Sequence, residues 1–96
     1  MTYADLQEAL QILGLGDKIS LREIKTRHRE LVKRHHPDTG KADDQETIQW
    51  INAAYRILLD YVTEYRFSFT EEEFYEQNPD ERLRQQFMDT PLWGKK

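Results

Sequence analysis

The chain contains no cysteine, which excludes disulfides, thiolate-rich zinc sites and cysteine nucleophiles and leaves packing as the source of stability. Prolines number three and glycines four, few enough that each reads as punctuation: Gly14 and Gly16 close one segment, Pro37 and Gly40 bracket another, and Pro79 and Pro91 mark the last third. No apolar run approaches the length needed to cross a bilayer. The opening Met1-Thr2-Tyr3-Ala4-Asp5 has neither the basic end nor the apolar block of a signal peptide. The expected location is cytoplasmic, with no membrane partner. Also missing are a glycine-rich phosphate loop, a nucleophile motif and paired carboxylates in an apolar setting, so neither catalysis nor a cofactor is expected.

What is present is charge and helical periodicity. A third of the 96 residues are charged, as expected for one small domain with an apolar stripe per helix and broad solvated faces. The net charge of −4 is unevenly spread. Residues 20–36 hold six Lys/Arg (Arg22, Lys25, Arg27, Arg29, Lys33, Arg34) against two acids (Glu23, Glu30), a local balance of +4, whereas residues 70–96 hold seven acids against four Lys/Arg, a balance of −3. A concentrated basic helix on an acidic protein points to an acidic patch on a specific partner more than to general polyanion binding. The blander alternative is a solvated helix face.

Tyr3, Leu6, Leu10 and Leu13 recur at helical steps, and Gly14 and Gly16 supply the stop, so a first helix is predicted over 2–13. Ser20-Leu21-Arg22-Glu23 has the form of a capping box and starts a second helix at Leu21. Its inward face is expected to be Ile24, His28 and Leu31, flanked by Val32 and His35. Pro37 lacks an amide hydrogen and disfavours helical geometry in the residue before it, so this helix should end near His35. A polar loop follows, with Gly40 able to take a positive φ. Asp43-Asp44-Gln45-Glu46 offers another capping signature before a third helix over about 44–66, with an inward stripe of Ile48, Ile51, Tyr55, Leu58, Val62 and Tyr65. Thr70-Glu71-Glu72-Glu73 resembles a further capping box, and Asn78-Pro79 pairs a capping side chain with proline at the first helical position. Two short helices are predicted at 71–77 and 79–88, with Pro91 ending the second and residues 92–96 extended or frayed.

Asp38 lies just beyond the end of the second helix, where the macrodipole favours a cation. Local stability does not explain it. Either the carboxylate starts an Asx-turn with the amides of Thr39 or Gly40, or it awaits a cationic group from a partner.

At this stretch the sequence resembles a known family. Ser20 to His36 followed by Pro37-Asp38 is similar to the second helix and His-Pro-Asp loop of the J-domain, the module of DnaJ-type co-chaperones. Ile51-Asn52-Ala53-Ala54-Tyr55-Arg56-Ile57-Leu58 resembles that family's third-helix pattern, and Leu13-Gly14-Leu15 the end of its first. The three blocks span roughly residues 9–60. The resemblance implies an all-α fold, an antiparallel hairpin of the second and third helices preceded by a short N-terminal helix. It also implies docking on a DnaK-type chaperone, of the heat-shock 70 class, whose ATP hydrolysis is stimulated. Carried over by position, His36, Pro37 and Asp38 match the loop, and Lys25, Arg29 and Arg34 match basic positions of the helix face. His28 joins this partner-binding set at a position where the family usually has tyrosine. Glu30 stands where a basic residue is common, Arg27 where a small one is usual, and Lys33 where an apolar one is common.

After the third helix the resemblance lapses: Asp60-Tyr61 has no proline and Glu64 replaces a usual basic residue. With no Gly/Phe-rich linker, cysteine-rich module or β-domains, a minimal J-domain-only protein is expected, residues 1–66 forming the core and 67–96 a helical extension. The extension carries Phe67, Phe69, Phe74, Tyr75, Leu83, Phe87, Met88, Leu92 and Trp93, too apolar for a free linker. It is expected to pack on the core, with Trp50 as the surface covered, the alternative being a segment left loose until a client protein binds. A nucleic-acid-binding or scaffold role for the basic helix is the rival reading, opposed by the acidic total and by Glu23 and Glu30. His28, His35 and His36 lack a metal-ligand spacing, so no metal site is expected.

Overall fold

The computed structural model describes residues 1–36 and 42–88. Five helices carry the chain: α1 (Tyr3–Leu13), α2 (Leu21–Arg34), α3 (Ala42–Glu64), α4 (Glu71–Gln77) and α5 (Pro79–Met88). No strand occurs among the described residues, so the fold is all-α. The chain divides into two compact units, Met1–Tyr65 and Arg66–Lys96.

Each boundary has a local cause. At α1 the Thr2 hydroxyl accepts from the Asp5 amide at 3.0 Å and the Asp5 carboxylate accepts from the Thr2 amide at 3.1 Å, a reciprocal capping box. The helix ends at Gly14, whose φ of 67° is left-handed, and the Leu15 amide reaches back to the Leu10 carbonyl at 2.9 Å. The expected box at α2 is present: the Glu23 amide donates to the Ser20 hydroxyl at 3.2 Å, and the Ser20 amide to Glu23 Oε1 at 2.7 Å. His35 closes α2, its amide donating to the Leu31 carbonyl at 3.0 Å. Helix α3 begins at Ala42, two residues before the predicted start, so that Asp44 lies inside its first turn, where the dipole favours acids. It ends at Glu64 rather than near Arg66.

In the first unit, α1 and α2 both pack along α3 and touch one another little. Contacts of His28 with Asn52 and of His35 with Asp44 run in opposite directions along the two helices, so α2 and α3 form an antiparallel hairpin. The core is Ala9 and Leu13 of α1, Ile24 and Leu31 of α2, and Ile51, Ala54 and Leu58 of α3. Burying one such leucine or isoleucine contributes about 1.5–3 kcal/mol. No polar or charged side chain is buried among the described residues.

Tyr3 and Tyr65, both in the expected apolar stripes, do not join the core. Tyr3 is 75% exposed and Tyr65 is 53% exposed, since one opens α1 and the other lies just past the end of α3, beyond the reach of the packed turns. Ala9 and Ala54 take central places instead, because a methyl side chain lets α1 and α3 approach closely.

In the second unit α4 and α5 pack on each other, and none of its described residues is buried. The expected box at Thr70 is half formed. The Thr70 hydroxyl accepts from the Glu73 amide at 3.2 Å, but the Glu73 carboxylate accepts from Gln77 Nε2 at 3.1 Å, one helical turn onward. Asn78 also departs from expectation: its side chain turns back and donates to the Phe74 carbonyl at 2.9 Å, capping the end of α4. Its carbonyl accepts from the Glu81 and Arg82 amides, which begins α5. Arg82 pairs with Glu76 across the joint at 3.7 Å. The residues expected to end this unit, Pro91 to Lys96, lie outside the described residues.

Candidate functional site: the basic face of the second helix

The Ser20 box sets where α2 starts and hence which way every later side chain points. Ile24 and Leu31 face the core. Lys25, Arg29 and Lys33 follow one another at four-residue steps and are exposed, as is Arg22. None of these four forms an ion pair among the described residues, and neither does Arg34. An unpaired cationic stripe is costly to no one in water but is available to a partner. Arg34 is exposed too, yet at 3.6 residues per turn it lies about 140° round the helix from Arg29. The structure therefore groups Lys25, Arg29 and Lys33 and sets Arg34 apart.

Arg27, counted among the cations of this helix, is used internally. Its Nε donates to the Leu13 carbonyl at 2.8 Å, and its Nη1 lies 3.4 Å from Glu30. The guanidinium thus sits at the C-terminal end of α1, where a cation suits the helix dipole and an orphan carbonyl needs a donor.

His28 was expected to face inward. It is half-buried, and its ring stacks on Tyr55 with centroids 3.8 Å apart and planes within 7°. Nε2 is 2.8 Å from Asn52 Oδ1. Lys25, His28, Arg29, Val32 and Lys33 of α2, with Tyr55 of α3, line an open groove of about 430 Å³. Its lining combines Val32 and two aromatic rings with three cations, and among the described residues no carboxylate lines it.

At the far end of the hairpin, His35 Nδ1 donates to Asp44 Oδ1 at 3.2 Å, with side chains 30% and 15% exposed. The pair joins the last turn of α2 to the first turn of α3, and so ties together the two ends of the segment that carries His36, Pro37 and Asp38. An N–H donor at a helix C-terminus and an aspartate at a helix N-terminus each suit the local dipole. His36 is exposed directly after this pair. Pro37 and Asp38 lie outside the described residues, as do the expected Asx-turn and the loop through Lys41.

Three residues of this site escaped the sequence reading: Asn52, Asp44 and the inward role of Arg27. Asn52 offered a faint signal, a lone amide between apolar neighbours on α3. Arg27 offered none, because its partner is a main-chain carbonyl fourteen residues away.

A short N-terminal helix and an antiparallel helical hairpin, with a basic second helix leading into His-Pro-Asp, define a class of small helical interaction domains. The family model described as "DnaJ domain" matches residues 8–66, more than half of the chain, and the chain belongs to that family. Similar proteins include Chaperone protein DnaJ of Ureaplasma parvum, 42% identical over 50 residues, which are 52% of this chain and 13% of that protein. Chaperone protein DnaJ of Rickettsia prowazekii is 42% identical over 55 residues, 56% of this chain and 15% of that protein. Chaperone protein DnaJ of Erysipelothrix rhusiopathiae is 36% identical over 58 residues, 59% of this chain and 16% of that protein. The chain thus spans about one-seventh of the curated relatives it matches. No solved structure gives a significant match.

Proposed function

We propose that this chain is a co-chaperone that docks on a DnaK-type chaperone through His36, Pro37, Asp38 and the basic face of α2, and stimulates the partner's ATP hydrolysis. The observation that carries this reading is the stripe Lys25, Arg29, Lys33, which makes no ion pair among the described residues and leads toward the His-Pro-Asp segment. Membership of the DnaJ domain family supports it. In physical terms, the stripe steers encounter with an acidic patch, an effect that weakens with salt because exposed charges are screened over about 10 Å at 0.1 M. Asp38 then supplies a charged hydrogen bond of roughly 1.5–3 kcal/mol to a cation of the partner. That is enough to bias the chaperone toward a state in which its own catalytic groups are aligned. The J-domain itself makes and breaks no bond.

The test is single-turnover ATP hydrolysis by a DnaK-type chaperone with wild-type protein, with Asp38→Asn and with His36→Gln, circular dichroism serving as the folding control. Both variants should fold and fail to stimulate. Undiminished stimulation by Asp38→Asn would remove the mechanism.

The family model stops at residue 66, and we assign client recognition to the part beyond it. Phe69, Leu83 and Met88 there are 93%, 65% and 62% exposed, a supply of apolar contact for an unfolded chain. A Phe69→Ser, Leu83→Ser double variant should keep ATPase stimulation and lose suppression of aggregation of a denatured model client. Equal suppression by both proteins would argue against the assignment.

A further inference from the structure

We infer that His35 and Asp44 are a positioning pair for Asp38. Their bond holds the start and the end of the stretch that carries this carboxylate, and so sets how strongly a docked chaperone is stimulated. The assignment rests on the docking reading above and adds to it the residues that govern the step after encounter.

Core packing stops short of the place where the pair sits. Leu31 is the last buried residue of α2, Ile51 is the first among the described residues of α3, and no described residue between them is buried. His35 lies about one turn beyond Leu31, and Asp44 about two turns before Ile51. Helix ends that far from a core fray unless another contact ties them. Here a side-chain bond does so. His35 Nδ1 is 3.2 Å from Asp44 Oδ1, with the side chains 30% and 15% exposed, so water competes for the bond only in part.

The bond asks for no charge on the ring. A carboxylate oxygen only accepts, so Nδ1 carries the hydrogen, and the neutral imidazole supplies it. The ring also springs from an anchored backbone, because the His35 amide donates to the carbonyl of the core residue Leu31 at 3.0 Å. Eight residues, 36–43, separate the bonded pair. Tying two residues this close in sequence narrows what the intervening chain must lose when it is ordered against a partner. His35 lies about 120° round α2 from Arg29, off the cationic stripe, so its removal leaves the encounter surface as it was.

Two measurements on the full chain test the inference. In the free protein at pH 8, the ¹⁵N shifts of the His35 ring should show the Nδ1–H tautomer, giving way to a mixture in Asp44→Ala. An Nε2–H tautomer in wild type, or shifts untouched by Asp44→Ala, would overturn the pairing.

Single-turnover hydrolysis by a DnaK-type chaperone is then followed against the concentration of each variant, circular dichroism confirming that it is folded. Neither residue is buried, so the core should survive both substitutions. His35→Phe keeps a ring and removes the donor, and Asp44→Ala removes the acceptor. Each should lower the maximal stimulated rate about five-fold, as loss of one net hydrogen bond implies, and shift the half-maximal concentration by less than about two-fold. His35→Asn, whose amide can place an N–H close to the position of Nδ1, should restore most of the rate. The double variant should be no worse than either single one, since both remove the same bond. A folded His35→Phe with the wild-type maximal rate, or one altered only in half-maximal concentration, would overturn the positioning role. If wild-type protein stimulates no hydrolysis at any concentration, the docking reading itself falls and takes that role with it, while the tautomer measurement decides the pairing separately.

Discussion

Arg27→Met separates stability from docking within one helix. The substitution keeps most of the apolar stem and deletes the guanidinium, whose Nε donates to the Leu13 carbonyl at 2.8 Å. Leu13 itself is fully buried, and the carbonyl it presents at the end of α1 has no intrahelical donor, as for any last-turn carbonyl. A charged hydrogen bond of this kind is worth about 1.5–3 kcal/mol when sheltered. With the Arg27 side chain 32% exposed, water can replace part of it, so a loss of about 1 kcal/mol is expected. The ion pair to Glu30 at 3.4 Å is solvent-exposed and adds little. For a small domain 1 kcal/mol lowers Tm by about 4–8 °C. Thermal unfolding followed by circular dichroism measures the shift, and chaperone ATPase assays at 20 °C measure docking. Arg27→Met should lose Tm and keep half-maximal stimulation at the same concentration, whereas Lys25→Met and Arg29→Met should keep Tm and need more protein. An Arg27→Met variant with wild-type Tm and weakened stimulation would refute the internal role and return Arg27 to the docking face.

Gly14→Ala should cost about 1–2 kcal/mol, because its φ of 67° is left-handed and a Cβ there would meet Arg27 Nη2 at 3.3 Å; denaturant midpoints at constant slope would show it. Leu58→Ala, at a core position 3% exposed, should cost about 2–5 kcal/mol and leave the first unit largely unfolded at 37 °C, with loss of amide dispersion in its NMR spectrum. The Glu23 carboxyl is held below its ordinary value of 4.5, first by the Ser20 amide and then by the Ser20 hydroxyl. The folded protein therefore binds this proton less readily than the unfolded chain. The stabilisation is complete above the ordinary value and disappears as pH falls through the lowered one. Glu23→Gln should accordingly show a smaller drop in Tm between pH 7 and pH 3 than wild type, and an equal drop would exclude the cap as its source.

The ends of the helices were legible because they are set by neighbours in sequence. Ser20 and Glu23 meet across three residues, and Gly14 follows the last apolar position of α1. The predicted spans of α4 and α5 match the observed Glu71–Gln77 and Pro79–Met88 for the same reason. The hydrogen bonds that complete those caps were less legible. Glu73 had a choice between the Thr70 amide and the Gln77 amide group one turn away, and Asn78 a choice between two helix ends. Such alternatives differ by a fraction of a hydrogen bond.

By itself the sequence determined the helices, their order, the positive charge on α2 and its arrival at His36-Pro37-Asp38, since each depends on period, capping and proline within a few residues. Only the tertiary structure decided what those residues touch. It turned Arg27 from the cationic face to a carbonyl of α1, tied His35 to Asp44, and brought His28 onto Tyr55 and Asn52. These contacts join residues 9 to 27 positions apart, and their geometry follows from how closely α1 and α2 settle on α3, a distance governed by small side chains such as Ala9 and Ala54 and not by any local pattern.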